Sequence, residues 1–189
     1  MPAPPAIGPI RPIAPVIFGE VLFDCFPDGT AVLGGAAFNV AWHLHALGCP
    51  PLFISRVGTD ARGDEILARM QAWGLCTDGL QRDAHFPTGT VSVSLTHGQP
   101  SFAINADQAY DHIDGACAAQ LAHEQCAVLY HGSLALRTPR ARAAFDTVRR
   151  AAAAPVFVDV NLRAPWWDAG TLAYVLQHAR WFKCNHDEL

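Results

Sequence analysis

Strand-like and helix-like segments alternate along residues 16–189, and this alternation restricts the fold more than any other feature of the sequence. Apolar runs rich in β-branched and aromatic residues are typical of buried strands, whereas apolar positions three and four residues apart are typical of helices. Chains that alternate in this way form parallel sheets with helices on their faces. We predict strands over 16–26, 51–58, 127–133, 155–163 and 181–185, and helices over 36–47, 63–74, 116–123, 139–152 and 169–179.

Residues 88–105 depart from this alternation. Val91, Val93 and Leu95 alternate with Ser and Thr, and His-Gly-Gln-Pro then turns the chain into Ser-Phe-Ala-Ile-Asn. Such a pattern predicts a β-hairpin with one polar face, standing off the parallel sheet. The other face would need a ligand or a partner to cover it, and the alternative is a surface hairpin without a role.

The first fifteen residues contain six prolines. Because proline blocks helices and lacks a backbone donor, we predict a mobile arm over residues 1–15 and one α/β domain over 16–189. The net charge is −4 and no long Lys/Arg run occurs, which disfavours nucleic acid and anionic membranes as partners. No signal-peptide core and no apolar run of about 18 residues is present, so we expect a soluble, cytoplasmic protein.

Polar residues follow several of the predicted strands: Asp24, Gly132, Asp159 with Asn161, and Asn185. In open α/β sheets, ligands bind at the carboxyl ends of the strands. These positions are therefore consistent with one shared crevice, although each residue alone also suits a turn.

A glycine pair, Gly34 and Gly35, stands directly before a predicted helix whose first turns carry Asn39. Glycine allows a positive φ or a close approach of the backbone to another group. An asparagine near a helix start either caps the helix or faces a ligand. The glycine pair with Asn39 therefore marks either an ordinary helix start or a binding site.

The motifs of several enzyme classes are missing. No P-loop motif occurs, no G-x-G-x-x-G follows the first strand, and no G-x-S-x-G is present, so a P-loop is excluded and dinucleotide-binding and hydrolase sites are disfavoured. No C-x-x-C pair or H-E-x-x-H motif supports a zinc site. Carboxylates and amides around a glycine pair remain, and these groups suit the vicinal hydroxyls of a polyol or sugar.

Five segments, in order, resemble the PfkB, or ribokinase-like, family of carbohydrate kinases. They are GEVLFD (19–24), GGAAFNVAWHLHALG (34–48), RVGTDARGDEILARMQAWGL (56–75), FVDVNLR (157–163) and KCNHDEL (183–189). The resemblance covers essentially residues 16–189. It implies a ribokinase-like parallel sheet flanked by helices, with a small β lid at about 88–105 through which many members form homodimers.

The resemblance also implies roles for individual residues. It places Asp24, Gly34, Gly35 and Asn39 at the hydroxyls of a small sugar substrate, with Phe102 as an apolar contact from the lid. The glycines would let the sugar lie against the backbone, where a Cβ would clash.

ATP and Mg²⁺ are the implied cofactors. Asp159 and Asn161 would support the ATP end of the crevice, and Arg163 could contact the transferring phosphoryl group with its planar fork. Asn185 and Glu188 would order Mg²⁺ near the phosphates, with Glu188 acting through water, because magnesium prefers oxygen ligands and keeps several waters.

The family's second signature, G-A-G-D, is absent, and the sequence given stops at Leu189. In the family, that aspartate is the catalytic base and the glycines open a helix that binds the phosphoryl group. We therefore expect the C-terminal part of the fold, with the base, to be missing, and phosphoryl transfer by this chain alone to be negligible.

Two functions from different classes stay open. The first is the N-terminal portion of an ATP-dependent sugar kinase that looks nearest to fructokinases, with ribokinases and nucleoside kinases as alternatives. A 2-keto-3-deoxygluconate kinase is disfavoured because the second lid strand carries no arginine. The second function is a non-catalytic protein that binds a sugar or a partner chain; hydride transfer is a distant third.

Overall fold

A computed structural model describes residues 14–96, 99–122 and 126–189. The predicted arm therefore lies almost entirely outside the described residues, as does the His97-Gly98 turn of the predicted hairpin. Residues 14 and 15, which the arm prediction included, belong to the first strand.

The described residues form ten strands, five α-helices and two short 3₁₀ helices. The strands are β1 (Ala14–Phe18), β2 (Leu22–Cys25), β3 (Ala31–Gly34), β4 (Leu52–Gly58), β5 (Leu80–Asp83), β6 (Gly89–Thr96), β7 (Gln99–Ile104), β8 (Cys126–Gly132), β9 (Val156–Asp159) and β10 (Ala179–Lys183). The α-helices are α1 (Ala36–Ala46), α2 (Ala61–Trp73), α3 (Gly115–Ala122), α4 (Pro139–Ala152) and α5 (Ala169–Leu176), and the 3₁₀ helices are Ala109–His112 and Leu134–Leu136.

Six parallel strands make the main sheet, in the order β10-β9-β8-β1-β4-β5. Two apolar clusters of buried residues pack against this sheet. One cluster includes Phe18 and Phe145, and the other includes Ile17, Phe38 and Phe53. The predicted α/β fold, a parallel sheet flanked by helices, is confirmed.

A second sheet has the order β3-β2-β6-β7 and contains the predicted hairpin. On β6, Val91 and Val93 are buried while Ser92 and Ser94 are exposed, as the alternation of the sequence indicates. The hairpin does not stand alone, however, because β2 pairs in parallel with β6 and antiparallel with β3. The hairpin predicted as a lid is therefore part of a four-stranded sheet, which is called the lid below.

The single strand predicted over 16–26 is wrong. The chain leaves the main sheet after Phe18 and enters the lid sheet at Leu22. The break lies at Gly19, where an added Cβ would clash with the Ala37 Cβ, so helix α1 packs directly against this link. The sequence pattern hides the change because residues on both sides of the link are buried.

Other boundaries also differ from the predictions. Strand β9 stops at Asp159 rather than 163, because Asn161 takes a positive φ of 37° that ends the extended conformation. The short strands β3 and β5 were not predicted, since neither has an apolar run longer than three residues. Among the described residues, no helix combines the length and apolarity needed to cross a membrane.

Candidate functional site

A cavity of about 480 Å³ lies between the main sheet and the lid. Residues that follow the carboxyl ends of β1, β8 and β9 line one side, and residues of β2, β6 and β7 line the other. This is the edge of a parallel sheet at which ligands bind in open α/β folds. The structure brings seven of the sequence-predicted site residues to this cavity: Asp24, Gly35, Asn39, Phe102, Asp159, Asn161 and Arg163.

Asp24 projects from β2 into the cavity. Partial burial raises the pKa of the Asp24 carboxyl, and the positive charge of Arg163 opposes that rise. A carboxylate from the lid sheet and a guanidinium from the loop after β9 therefore line the same cavity. This pair can recognise hydroxyls through the carboxylate and an anionic group through the arginine.

The two glycines have different surroundings. Gly35 has φ +108°, and an added Cβ would lie 2.7 Å from the Glu20 carbonyl oxygen, so only glycine fits there without strain. Gly34 is not among the cavity-lining residues. Its effect is indirect, because an added Cβ would lie 3.3 Å from Asp24 Oδ2 and crowd that carboxylate.

Asn39 does not cap helix α1. The N-cap residue is Gly35, which offers no side-chain acceptor, and the Ala36 N–H donates instead to Glu20 Oε1 at 2.9 Å. Asn39 is exposed and lines the cavity. Because capping is done by another residue, the Asn39 amide is available to a ligand.

Asp159 lines the cavity, and hydrogen bonds hold its carboxylate in place. Its oxygens accept from Lys183 Nζ at 3.0 and 3.1 Å, and Oδ2 also accepts from the Tyr130 hydroxyl at 3.4 Å. The neighbouring Asn161 is fixed through its backbone oxygen, which accepts from Ser133 Oγ. Lys183 was missed by the sequence analysis; an isolated lysine in a strand carries no signal of its own.

Asn185 and Glu188 lie outside the cavity, as does Gly132. Glu188 Oε1 accepts from the Leu162 N–H at 2.7 Å, and Oε2 accepts from the Asn185 N–H at 2.9 Å. Asn185 Oδ1 in turn accepts from the Asp187 and Glu188 N–H groups. This reciprocal turn fastens the segment after β10 to the loop after β9.

The predicted magnesium contact agrees with the chemistry of Asn185 and Glu188, because both side chains carry oxygen atoms. Within residues 14–96, 99–122 and 126–189, no group of three or more His, Cys, Asp and Glu side chains could hold a metal ion. Magnesium needs few protein ligands, because it keeps several waters and binds substrate phosphates. Each Glu188 oxygen accepts one N–H group and keeps a lone pair, whereas Asn185 Oδ1 already accepts two, so a water-mediated contact of Mg²⁺ with Glu188 stays a prediction.

The sequence analysis also missed two buried charged residues: Glu20, which lines the cavity, and Arg137, whose charge acts on Glu20. Glu20 is only 2% exposed, and burial raises its pKa. Arg137 forms a two-point ion pair with Asp111, with distances of 2.7 and 2.6 Å, and its guanidinium stacks over the Tyr110 and Trp166 rings. One feature of the sequence could have identified Glu20: it is the only charged residue in the otherwise apolar run Ile17–Phe23.

Comparison with known proteins gives consistent relatives. A sugar kinase of Pyrococcus horikoshii is 29% identical over 136 residues, covering 71% of this chain and 44% of that protein. A fructokinase of Vibrio alginolyticus is 29% identical, covering 80% of this chain and 52% of that protein. The chain thus spans about half the length of the curated relatives it matches.

Solved structures show the same fold. The crystal structure of an uncharacterised sugar kinase from Pyrococcus horikoshii has a TM-score of 0.81 at 26% identity, covering 92% of this chain and 66% of that chain. A second structure of that kinase, in complex with ATP, has a TM-score of 0.78 at 25% identity, covering 88% and 61% of the two chains.

The family model of the pfkB family carbohydrate kinases matches residues 26–189, which include lid strands β3, β6 and β7 and the cavity-lining residues from Gly35 onward. The match extends over most of the chain and agrees with the ordered sequence segments, the confirmed fold and the sugar-kinase relatives. The chain therefore belongs to the pfkB family of carbohydrate kinases.

Proposed function

We propose that this chain forms the sugar-binding portion of an ATP-dependent kinase that phosphorylates a small sugar, with fructose as the substrate. The observation that carries the proposal is that Asp24, Asn39 and Arg163 line one shared cavity beneath the lid. The fructokinase relative from Vibrio alginolyticus supports the choice of sugar.

The proposed roles divide the cavity into two ends. Asp24 accepts hydrogen bonds from sugar hydroxyls, Asn39 donates and accepts, and Gly35 lets the sugar approach the backbone. At the other end, Arg163 contacts the phosphoryl group, while Asp159 and Asn161 shape the ATP side. Magnesium would supply charge neutralisation at the phosphates, with Glu188 holding one of its waters.

We further propose that the chain alone binds the sugar but transfers phosphate negligibly. A sugar hydroxyl must lose its proton during transfer, and a positioned base normally accepts that proton. The sequence carries no G-A-G-D segment to supply the aspartate that serves as this base in the family. Binding and turnover are therefore separate expectations and need separate assays.

Calorimetric titration of the chain with fructose, glucose and ribose tests the sugar site directly. We expect saturable binding with fructose as the preferred sugar. Asn39→Ala should weaken that binding about tenfold, because one hydrogen bond to a ligand is worth about 1.4 kcal/mol. The thermal midpoint should not move, since Asn39 is exposed and does not cap α1.

His43→Ala is the matched control, because His43 is an exposed residue of the same helix that does not line the cavity. If none of the three sugars binds saturably, the proposal is contradicted. Equal fructose affinities for wild type and Asn39→Ala would remove Asn39 from the site. Adding MgATP and measuring ADP release tests transfer: turnover by the chain would overturn the proposal that it is inactive alone.

The lid is proposed to close over the sugar and to form a homodimer. Val32 and Phe102, on its outer strands, are 50% and 54% exposed, which leaves apolar surface for a ligand or a second copy. Light scattering of wild type and Val32→Lys distinguishes these uses. A dimer that the lysine converts to a monomer supports the interface, and a wild-type monomer at high concentration contradicts it.

A further inference from the structure

Helix α1 begins without a cap of its own. Its N-cap is Gly35, which has no side chain to accept the free N–H groups of the first turn. Helices α2, α4 and α5 are capped locally by Asp60, Thr138 and Asp168. Helix α1 therefore needs an acceptor from elsewhere in the chain, and it is the helix that carries Asn39.

Glu20 supplies that acceptor from the link between the two sheets. Its Oε1 accepts from the Ala36 N–H at 2.9 Å, and its backbone oxygen accepts from the Phe38 N–H at 3.3 Å. The same backbone oxygen lies where a Cβ on residue 35 would clash. One residue thus holds the first turn of α1 by both its side chain and its main chain.

The Glu20 carboxyl group is buried, and the groups around it offset part of the cost of a negative charge there. Glu20 is 2% exposed, and Oε2 has no hydrogen-bond partner among the residues that the structure describes. Burial raises the pKa of Glu20, while the N–H groups of Ala36 and Ala37 and the positive charge of Arg137 oppose this rise. The N-terminus of a helix also favours a negative charge.

Arg137 connects this arrangement to the base of the lid. Its Nη2 donates to the backbone oxygen of Asn105, the residue that follows β7, at 2.8 Å. Its remaining hydrogen bonds go to the buried Asp111. The positive charge that acts on Glu20 is therefore itself held in place by hydrogen bonds to Asp111 and Asn105.

We propose that Glu20 is a positioning residue for sugar binding, acting as a remote cap that fixes Gly35 and Asn39 at the cavity. The proposal rests on the proposed sugar site. It assigns Glu20 no proton transfer and no covalent step. Its effect on the ligand passes through the first turn of α1.

Three variants separate positioning from general stability. Glu20→Ala removes the acceptor, so fructose affinity should fall at least tenfold. Glu20→Gln keeps an acceptor oxygen for the Ala36 N–H, so affinity should recover to within about threefold of wild type. Asp168→Ala is the matched control: it removes a carboxylate that caps α5 by accepting from the Thr171 N–H at 2.6 Å, away from the cavity. It should lower the thermal midpoint without changing fructose affinity.

Hydrogen exchange measured by mass spectrometry supplies a readout that needs no ligand. In Glu20→Ala, the amides of residues 36–39 should exchange faster, while those of the later turns of α1 stay protected. Glu20→Gln should restore the wild-type pattern. Unchanged exchange at residues 36–39 in Glu20→Ala would overturn the inference even if the variant is less stable.

The outcomes also distinguish this inference from the proposed function. If wild type binds fructose and Glu20→Ala binds it equally well, the positioning role is wrong and the sugar site stands. If Glu20→Gln binds as poorly as Glu20→Ala, the charge rather than the cap matters, and the inference is overturned. If wild type binds no sugar, the proposed function fails, and the positioning role fails with it.

Discussion

Buried His131 makes the stability of the fold depend on pH in a direction that the structure specifies. The side chain is fully buried in β8, its Nδ1 lies 3.1 Å from the Gly132 carbonyl oxygen, and its ring packs 4.4 Å from the Phe145 ring. Burial lowers the pKa of His131 from 6.5 to about 4. Between about pH 6.5 and pH 4, His131 is therefore protonated in the unfolded chain but neutral in the folded chain.

The expected loss follows from these two pKa values. The contribution of His131 to stability is fully present above pH 6.5 and is lost as the pH falls toward 4. Between pH 7.5 and pH 5, linkage predicts a loss of about 2 kcal/mol from this one residue, and the full shift corresponds to about 3 kcal/mol.

Urea denaturation at a series of pH values from 7.5 to 5 measures this loss. His131→Asn removes the titrating group, so its stability should fall by about 2 kcal/mol less than that of wild type across the range. The comparison uses the slope of the free energy of unfolding against pH. The pH-independent cost of the substitution does not affect this slope, and the carboxylates contribute equally to it in both proteins. His178→Asn, at an exposed histidine, should keep the wild-type slope. Parallel slopes for wild type and His131→Asn would refute the reasoning.

Three further predictions concern the site and the residues around it. Gly35→Ala should abolish fructose binding and lower the free energy of unfolding by about 2–4 kcal/mol, because its Cβ would lie 2.7 Å from a backbone oxygen. Gly48→Ala, at φ +77° with open space, should cost only about 1 kcal/mol and leave binding intact. Phe102→Ala should change stability by less than about 0.5 kcal/mol, since the residue is 54% exposed, yet weaken fructose binding several-fold by calorimetry. Arg137→Met should cost about 3–5 kcal/mol in urea denaturation, because it leaves Asp111 buried without its partner; a cost below about 1 kcal/mol would contradict this.

Most of the main sheet could be predicted, because five of its six strands and the helices on its faces have characteristic local sequence patterns, and only the short strand β5 lacks one. Helix α2, for example, places Ile66 and Met70 on one buried face and ends at Gly74, which takes φ +77° as the C-cap. The lid was only partly predictable. Apolar and polar residues alternate regularly in its hairpin. Strand β2, however, joins the lid by pairing with β6 some seventy residues later, and a local sequence pattern contains no information about that pairing.

The residues of the cavity divide in the same way. Asp24 and Asn39 lie in segments whose spacing resembles a known family, so their approach to one cavity could be expected. Arg137 could not be identified, because its importance comes from Asp111 and Asn105, which reach it only in the folded chain. A single arginine before a predicted helix is otherwise an ordinary surface residue.

The start of helix α1 shows how a local rule can indicate a distant residue. The sequence Leu33-Gly-Gly-Ala-Ala offers none of the Ser, Thr, Asp or Asn side chains that usually accept the first N–H groups of a helix. Those groups must still find acceptors when they are buried. The missing cap therefore implies an acceptor elsewhere, and Glu20, an isolated carboxylate in an apolar run sixteen residues before Ala36, is the residue that meets the need. Because Glu20 caps the helix, the Asn39 side chain is not needed as a cap and is available to a ligand. A helix start that lacks its own capping residue is therefore compatible with a binding site.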